Sequence, residues 1–407
     1  MKKTLVFISP VTPRPTGGGR RMRAYQWIRH LSEAYSVVVL SGEPEPPPPE
    51  VRAWVRDCFT LVPGRSAGAG LRRMLRRLPQ AWRSRWPVDG GPQAAMADLR
   101  VPVQAQALLR DADIVLVFRL YMMPVLSCLP DPARGRALWL DLDDWDSLCH
   151  GRIAGLARAE DNRSLERRYL RMADAFREEE ARRVPAADRV FVCSDVDRQG
   201  LSEVFGSAHV EVFPNRYVGD IVENDQRAVS REAAILFVGS MGYLPNRDGV
   251  RWFFREIWPE VKTRFPGKVR FHVVGAGIRR KLARELAEDP SVNVHGYVED
   301  LSGIYQAADV AICPLRAGGG TRIKILEAIA HHRAVVTTPV GMEGLDFDAG
   351  HLAIAASAQE FADAVLNLLS DAQARREMCA AAASRLRERY WTDPSGRVPP
   401  FPPHGAR

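Results

Sequence analysis

Between Val310 and Ala330 the chain reads VAICPLRAGGGTRIKILEAIA: a short apolar run, three consecutive glycines and a second apolar stretch with helical spacing. The first run, through Pro314, predicts a buried strand, and the second predicts a helix opening at Thr321. A strand, a glycine loop and a helix in that order belong to a parallel sheet covered by helices. Glycine lets backbone approach a ligand closely, and a fresh helix N-terminus offers unpaired N–H groups and a positive dipole end. Gly318, Gly319, Gly320 and Thr321 therefore make an anion site, most naturally for phosphate, with Arg322 and Lys324 adding charge beside it. Glu327, in the second helical turn, is placed to accept hydrogen bonds from sugar hydroxyls. An ordinary strand–turn–helix with a partly exposed Glu327 explains the same residues.

The same alternation recurs along the chain. Leu5–Ile8 predicts a strand, Thr16–Gly19 a glycine-rich loop, Arg20–Leu31 a helix and Val37–Leu40 the next strand. The glycines do not spell the G-x-G-x-x-G of a dinucleotide site, so a nicotinamide cofactor is poorly supported. Asp113–Phe118, Ala137–Leu142, Val190–Cys193 and Val210–Phe213 continue the strands, with a charged helical region over roughly 152–183. After a polar stretch at 220–232 the pattern restarts: Ala234–Val238, a helix over about 246–264 and Val269–Val274. Val292–His295, Val310–Pro314, Ala334–Thr338 and Leu352–Ala355 follow, and Gln373–Trp391 reads as a last helix. The fold class is α/β, with two Rossmann-like, doubly wound parallel-sheet domains. A first domain spans 1–218, a hinge 219–232 and a second domain 233–391, whose last helix is positioned to cross back to the first. A Pro-rich tail, 392–407, is expected to be disordered.

A length of 407 residues agrees with two cores, because single cores rarely grow past about 250–300 residues. Net charge of +8 suits anionic partners without choosing among nucleotide phosphates, a membrane surface and nucleic acid. Six scattered cysteines, with no C-x-x-C pair, argue against a structural zinc site or a disulfide framework and fit a reducing compartment. The opening MKKTLVFISPV has too short an apolar run for a signal peptide and reads as a first buried strand. No run approaches membrane-spanning length, so the expected location is cytoplasmic.

Two stretches carry further chemistry. Leu71–Trp86, LRRMLRRLPQAWRSRW, sets Leu and Trp beside Arg72, Arg73, Arg76, Arg77 and Trp82, the composition of an interfacial membrane helix or a lipid-phosphate site. A helix packed on its own domain with a solvated arginine face is the plainer reading, and no motif supports nucleic-acid binding. DLDDWD, at 141–146, ends a predicted strand. Asp141 and Asp143 there suit a divalent metal holding a diphosphate, sugar hydroxyls, or simple helix capping. Nearby histidines are lacking, so no metal site is expected.

Three adjoining stretches, ILFVGSMGYLPNRDGVRWF, VHGYVEDLSGIYQAADVAICPL and GGGTRIKILEAIAHHRAVVTTPVGMEGL, resemble the family 4 (group 1) glycosyltransferases of the GT-B fold. The resemblance covers 233–370 and is specific for the family but weak for the substrate. The first half agrees in layout, through its Gly17–Gly19 loop, DLDDWD, FVCSDVDR and VFPNRY. It implies a retaining transferase that moves a sugar from a nucleotide-diphosphate donor, without a required metal or other cofactor. Glu327 would hold the donor ribose and Gly319–Thr321 the diphosphate. Gly275–Gly277 and Tyr297–Val298 would flank the base, while Gly17 and Gly18 close from the other domain.

The departures are specific. The family's first glutamate falls on Gly319, and its common Arg and Lys fall on Ser240 and Asn246. Charge neutralisation of the leaving diphosphate then passes to Arg322 and Lys324, with Arg247 behind them and Asp141 or Asp143 orienting an acceptor. The expected acceptor is a lipid-linked glycan or polysaccharide precursor, met at an anionic membrane surface on the inner face of the plasma membrane. A soluble aglycone, a nucleotide-sugar epimerase of the same fold and a catalytically silent nucleotide-sugar-binding partner are the alternatives. Nucleic acid is not expected as a partner.

Overall fold

The computed structural model describes residues 2–63, 99–129, 135–206, 209–223 and 232–393. Seven strands build the first sheet: β1 (Thr4–Ser9), β2 (Ser36–Ser41), β3 (Asp57–Thr60), β4 (Ile114–Phe118), β5 (Ala137–Asp143), β6 (Arg189–Val192) and β7 (Val210–Val212). They lie in the order β3-β2-β1-β4-β5-β6-β7, each neighbouring pair parallel. Residues Leu5–Ile8 and Val115–Phe118 are fully buried because helices cover both faces, and their near-continuous apolar runs follow from that. The strand at Asp57–Thr60 was not anticipated. It is an edge strand with alternating exposure, and its DCFT sequence carries almost no apolar signal.

The second sheet repeats the plan with β8 (Glu232–Val238), β9 (Lys268–Val274), β10 (Val292–Gly296), β11 (Val310–Cys313), β12 (Ala334–Thr337) and β13 (Ala353–Ile354). Their order is β10-β9-β8-β11-β12-β13, also parallel. In both sheets the strand order reverses beside the first strand, which opens a crevice at the strands' C-terminal ends. Apart from β3, the strands of the two sheets match the sequence reading to within one or two residues.

Helices α1 (Gly19–Ala34), α2 (Asp146–Ala159), α3 (Arg163–Arg183), α4 (Leu244–Trp252), α5 (Ile323–Ala330), α6 (Ala358–Ser370) and α7 (Ala372–Arg389) frame the crevice. Three differ from expectation for identifiable reasons. The charged region at 152–183 is an antiparallel pair, broken where Asp161 takes φ 51° and Asn162 caps α3 by accepting from the Leu165 amide. The helix expected over 246–264 is interrupted by a π turn at Phe253–Ile257, just before Pro259, which has no N–H to continue the ladder. The glycine-loop helix opens at Ile323 and not at Thr321. The Thr321 amide instead points to Cys193 Sγ at 3.3 Å, and its hydroxyl accepts from Asn215 at 2.9 Å.

Beyond α7 the chain returns towards the first domain. Trp391–Thr392 pairs in parallel with Tyr217–Val218, and Arg29 of α1 donates to the Asp393 carbonyl at 2.7 Å. Thr392 therefore belongs to a strand and not to the expected tail, whose remainder lies outside the described residues. Most of the 219–232 hinge is likewise outside them, and Glu232 already belongs to β8. Among the described residues no helix is long and apolar enough to cross a membrane.

Candidate active site

Two helix N-termini meet in the crevice. On the first domain Gly17, with φ 102°, turns the chain into α1, whose N-cap, Gly18, offers no side-chain cap. On the second, Gly318 and Gly320, with φ 128° and 66°, turn the chain into α5, whose N-cap, Arg322, offers none either. A Cβ added at Gly19 would lie 3.0 Å from Ile323 Cδ1, so the two N-termini touch. Neither first turn contains an acidic residue. Each carries a cation instead: Arg20, exposed and 5.8 Å above the Tyr121 ring, and Lys324.

Lys324 reaches back under its own helix. Its ammonium is 2.6 Å from Asn246 Oδ1 and 4.4 Å from the centre of the Phe237 ring. Burial, with Arg322 adding to it, brings its pKa down to about 8. Asn246 is fixed in turn by donating Nδ2 to the Ser240 carbonyl at 2.8 Å. The structure thus brings Lys324, Asn246 and Ser240 together.

Arg322 takes a different position. Its guanidinium donates to the carbonyls of Gly319 and Gly320, and at 3.3 Å to that of Val340. It folds the glycine loop and does not project into the crevice. Asp141 also departs from the role expected of it. Fully buried, it takes Arg23 Nε at 2.7 Å, Arg23 Nη2 at 2.8 Å and Trp27 Nε1 at 2.5 Å, so its oxygens have no room for an acceptor.

Glu327, one turn along α5, accepts from the Tyr305 hydroxyl at 3.1 Å through Oε2. Burial pushes its carboxyl above the usual range, with Tyr305 and Lys324 pulling the other way. The second domain's strand-end loops stack by backbone: a Cβ at Gly275 would lie 1.9 Å from the Gly239 carbonyl oxygen, and one at Gly277 3.0 Å from the Gly242 amide. Only glycine fits either place. Next to them Tyr297 is 69% exposed, while Val298 packs against the core. The basic candidates Arg72, Arg73, Arg76, Arg77 and Trp82 lie outside the described residues.

Sequence reasoning missed the cation that holds the first domain's acidic loop and the groups that join the domains. Arg119, buried and at φ 77°, pairs with Asp143 at 3.3 Å, Asp144 at 3.4 Å and Asp146 at 2.5 Å. Burial pushes the Asp146 carboxyl up to about 7, against the pull of Arg119. Burial and Asp144 also raise the Asp143 carboxyl, against Arg23 and Arg119. Asn215 bridges Asp143, at 3.5 Å, to Thr321. Arg152 of α2 holds Glu343 at 2.6 and 2.8 Å and the Gly318 carbonyl at 3.3 Å. Ligand atoms of Asp143, Asp144 and Cys193 lie within 4.8 Å of one another. The guanidiniums of Arg119 and Arg23 already face those carboxylates.

The family described as glycosyl transferases group 1 matches residues 232–371. An uncharacterized 44.6 kDa protein in the cps region of Klebsiella pneumoniae is 27% identical over 164 residues, 38% of this chain and 42% of its own. The phosphatidyl-myo-inositol mannosyltransferase of Mycolicibacterium smegmatis is 29% identical over 214 residues, 50% of this chain and 54% of its own. The chain thus matches about half the length of these relatives. Among solved structures, sucrose-phosphate synthase from Thermosynechococcus elongatus superposes with TM-score 0.66 at 16% identity, over 95% of this chain and 94% of its own. Anabaena HepE, solved with UDP and glucose, gives 0.57 at 14% identity over 95% of both chains. At such identities the likeness is one of fold, and the fold is GT-B.

Proposed function

We infer that this chain, whose residues 232–371 belong to the glycosyl transferases group 1 family and whose fold is GT-B, moves a sugar from a nucleotide-diphosphate donor to an acceptor. One observation carries the reading: Lys324 is a partly buried cation in the first turn of a helix with no carboxylate at ion-pair distance among the described residues, Glu327 acting on it only from further along the helix. A helix N-terminus is already positive, so a cation there is unfavourable unless an anion arrives. Arg20 repeats the arrangement on the helix whose N-terminus touches this one. Two dipole ends in contact, each with a cation in its first turn, suit a diphosphate.

As the glycosidic bond breaks, negative charge grows on the departing diphosphate. Lys324, Arg20 and the free amides at the starts of α1 and α5 stabilise that charge without having to reorganise. Arg322 supports the reaction by holding the glycine loop in shape. Glu327 keeps one oxygen on Tyr305 and offers the other to the ribose, and the stacked glycine loops at 239–242 and 275–277 accept the base edge-on. Contact between the domains keeps out water, which would otherwise compete as acceptor. Retention of configuration and independence of metal belong to the reading. Arg119 and Arg23 take up the charge of the acidic loop that a cation would otherwise balance.

A polysaccharide or glycolipid precursor is the acceptor this reading favours, supported by the cps-region relative and the phosphatidyl-myo-inositol mannosyltransferase. Action at the inner face of the membrane would draw on the Arg-rich sequence of 71–86. Thermal shift with UDP-, GDP-, ADP- and TDP-sugars, with and without EDTA, tests the donor half. One nucleotide series should raise Tm, equally in EDTA, and Glu327→Ala should abolish the rise. No shift with any of them, or an undiminished shift in Glu327→Ala, would overturn the assignment.

A further inference from the structure

The acidic loop that closes β5 contributes four carboxylates, and three are already engaged. Asp141 is held by Arg23 and Trp27, Asp143 by Arg119 and Asn215, and Asp146 by Arg119. Asp144 differs. It has an ion-pair contact with Arg119 at 3.4 Å but accepts no hydrogen bond from the described residues, and its side chain is 25% exposed. Its position is tightly defined from the opposite domain. A Cβ at Gly320 would lie 1.8 Å from Asp144 Oδ1, and one at Gly319 3.6 Å from Asp144 Cβ. The carboxylate thus fills the space that a side chain at 320 would need, while at 319 Cys149 Cβ, 3.1 Å from an added Cβ, is the closer neighbour. It stands beside the loop that leads into α5 and Lys324.

Resting on the transferase reading above, we propose that Asp144 is the carboxylate that accepts hydrogen bonds from hydroxyls of the transferred sugar, supplied by the first domain because the glycine loop has no side chain to offer. A carboxylate repels a diphosphate, so Asp144 is not a phosphate ligand. What it suits, next to a phosphate site, is the hydroxyl-rich group attached to that phosphate. A carboxylate with unfilled acceptor sites can take two such donors. The sugar site is then shared between domains: the nucleotide end on the second domain, the sugar-gripping carboxylate on the first.

Calorimetry with a nucleoside diphosphate and its matching sugar conjugate, UDP against UDP-glucose and GDP against GDP-mannose, tests this on wild type and Asp144→Asn. Asp144→Asn should leave affinity for the free diphosphate within about twofold, and weaken the sugar conjugate by about 10- to 100-fold, the worth of hydrogen bonds to a charged group. A 2-deoxy or 3-deoxy conjugate should show which hydroxyl is read, its penalty disappearing in the variant. Equal weakening of both ligands would assign Asp144 to domain contact and overturn the proposal, as would no change in either. Loss of the sugar increment when EDTA is added to wild type would make Asp144 a metal ligand and overturn it too. If neither diphosphate binds wild type, the donor reading itself falls, an outcome separate from the others.

Discussion

The Lys324 ammonium and the Asn246 amide oxygen are 2.6 Å apart, and Asn246 cannot turn its amide round without losing the bond from its own nitrogen to the Ser240 carbonyl. The oxygen is thereby committed to the lysine. An amide dipole, however, only partly offsets a full charge, and Arg322 adjoins the same helix start. The free protein keeps a cation in an unfavourable place, and this makes the residue informative when it is changed.

Lys324→Met removes that cation while keeping most of the volume. We expect opposite effects on stability and function. The ligand-free protein should gain about 1 kcal/mol, because an uncompensated, partly buried charge is replaced by an apolar stem. Spread over the unfolding of all 407 residues that corresponds to roughly 1 °C in Tm, and to roughly 2–4 °C where the second domain unfolds by itself. Diphosphate binding and turnover should fall by at least about tenfold. Scanning fluorimetry and calorimetry on one preparation check both signs. A variant that loses stability as well as binding would indicate that the Asn246 contact outweighs the burial cost.

The same lysine sets a pH dependence. Its folded-state pKa is depressed to about 8 from the usual 10.5, so between these values the unfolded chain holds more protons than the folded one. Stability from this group therefore rises with pH across that window and is least below about 8. Donor binding runs the other way. A bound diphosphate favours the charged amine, so affinity should be highest below about 8 and fall by up to tenfold per pH unit above it. Calorimetry over this range should show the fall in wild type and lose it in Lys324→Met.

The loop and helix that carry the second domain's candidate site were largely legible because their signals are local. Gly318–Gly320 and the apolar spacing of 323–330 lie within a dozen residues, and Glu327 and Lys324 follow from the helix they define. Asp141 was misread for the opposite reason. A carboxylate at a strand end looks the same in sequence whether it faces a crevice or the core. Here the outcome depends on Arg23 and Trp27, 118 and 114 positions away in the chain. Arg322 reads as a site cation until the glycine carbonyls around it are located in space. Asp144 sits one residue beyond the D-x-D that drew attention. Only the second domain's glycines, pressed against it, distinguish it from its neighbours.

Asp141→Asn should act through folding. It leaves Arg23, which is completely buried, with Asp143 at 3.5 Å as its remaining carboxylate and with an amide N–H directed at a donor. Breaking a buried pair from one side costs about 3–5 kcal/mol. Denaturant unfolding should show a loss of that order, while the donor affinity of the folded fraction stays within about twofold. A stable variant with impaired transfer would return Asp141 to the chemistry.

Arg152 and Glu343 join the domains at the rim, beside an apolar contact in which Cys149 and Ile153 meet Ala317, with Leu156, Tyr169 and Leu244 around it. Both side chains are about a third exposed or less, and their bidentate geometry is the kind that contributes measurably, on the order of 1 kcal/mol. Because Arg152 also holds the Gly318 carbonyl, the pair couples domain contact to the shape of the glycine loop. Arg152→Ala should raise the radius of gyration of the ligand-free protein in X-ray scattering and weaken donor binding by several-fold. High salt should reproduce part of the effect in wild type and little in the variant. The exchange Arg152→Glu with Glu343→Arg should recover most of the compactness, because it restores the ion pair. It should recover less of the affinity, since the carbonyl of Gly318 then faces a carboxylate. Recovery of both to the same extent would mean that the pair acts on domain contact alone.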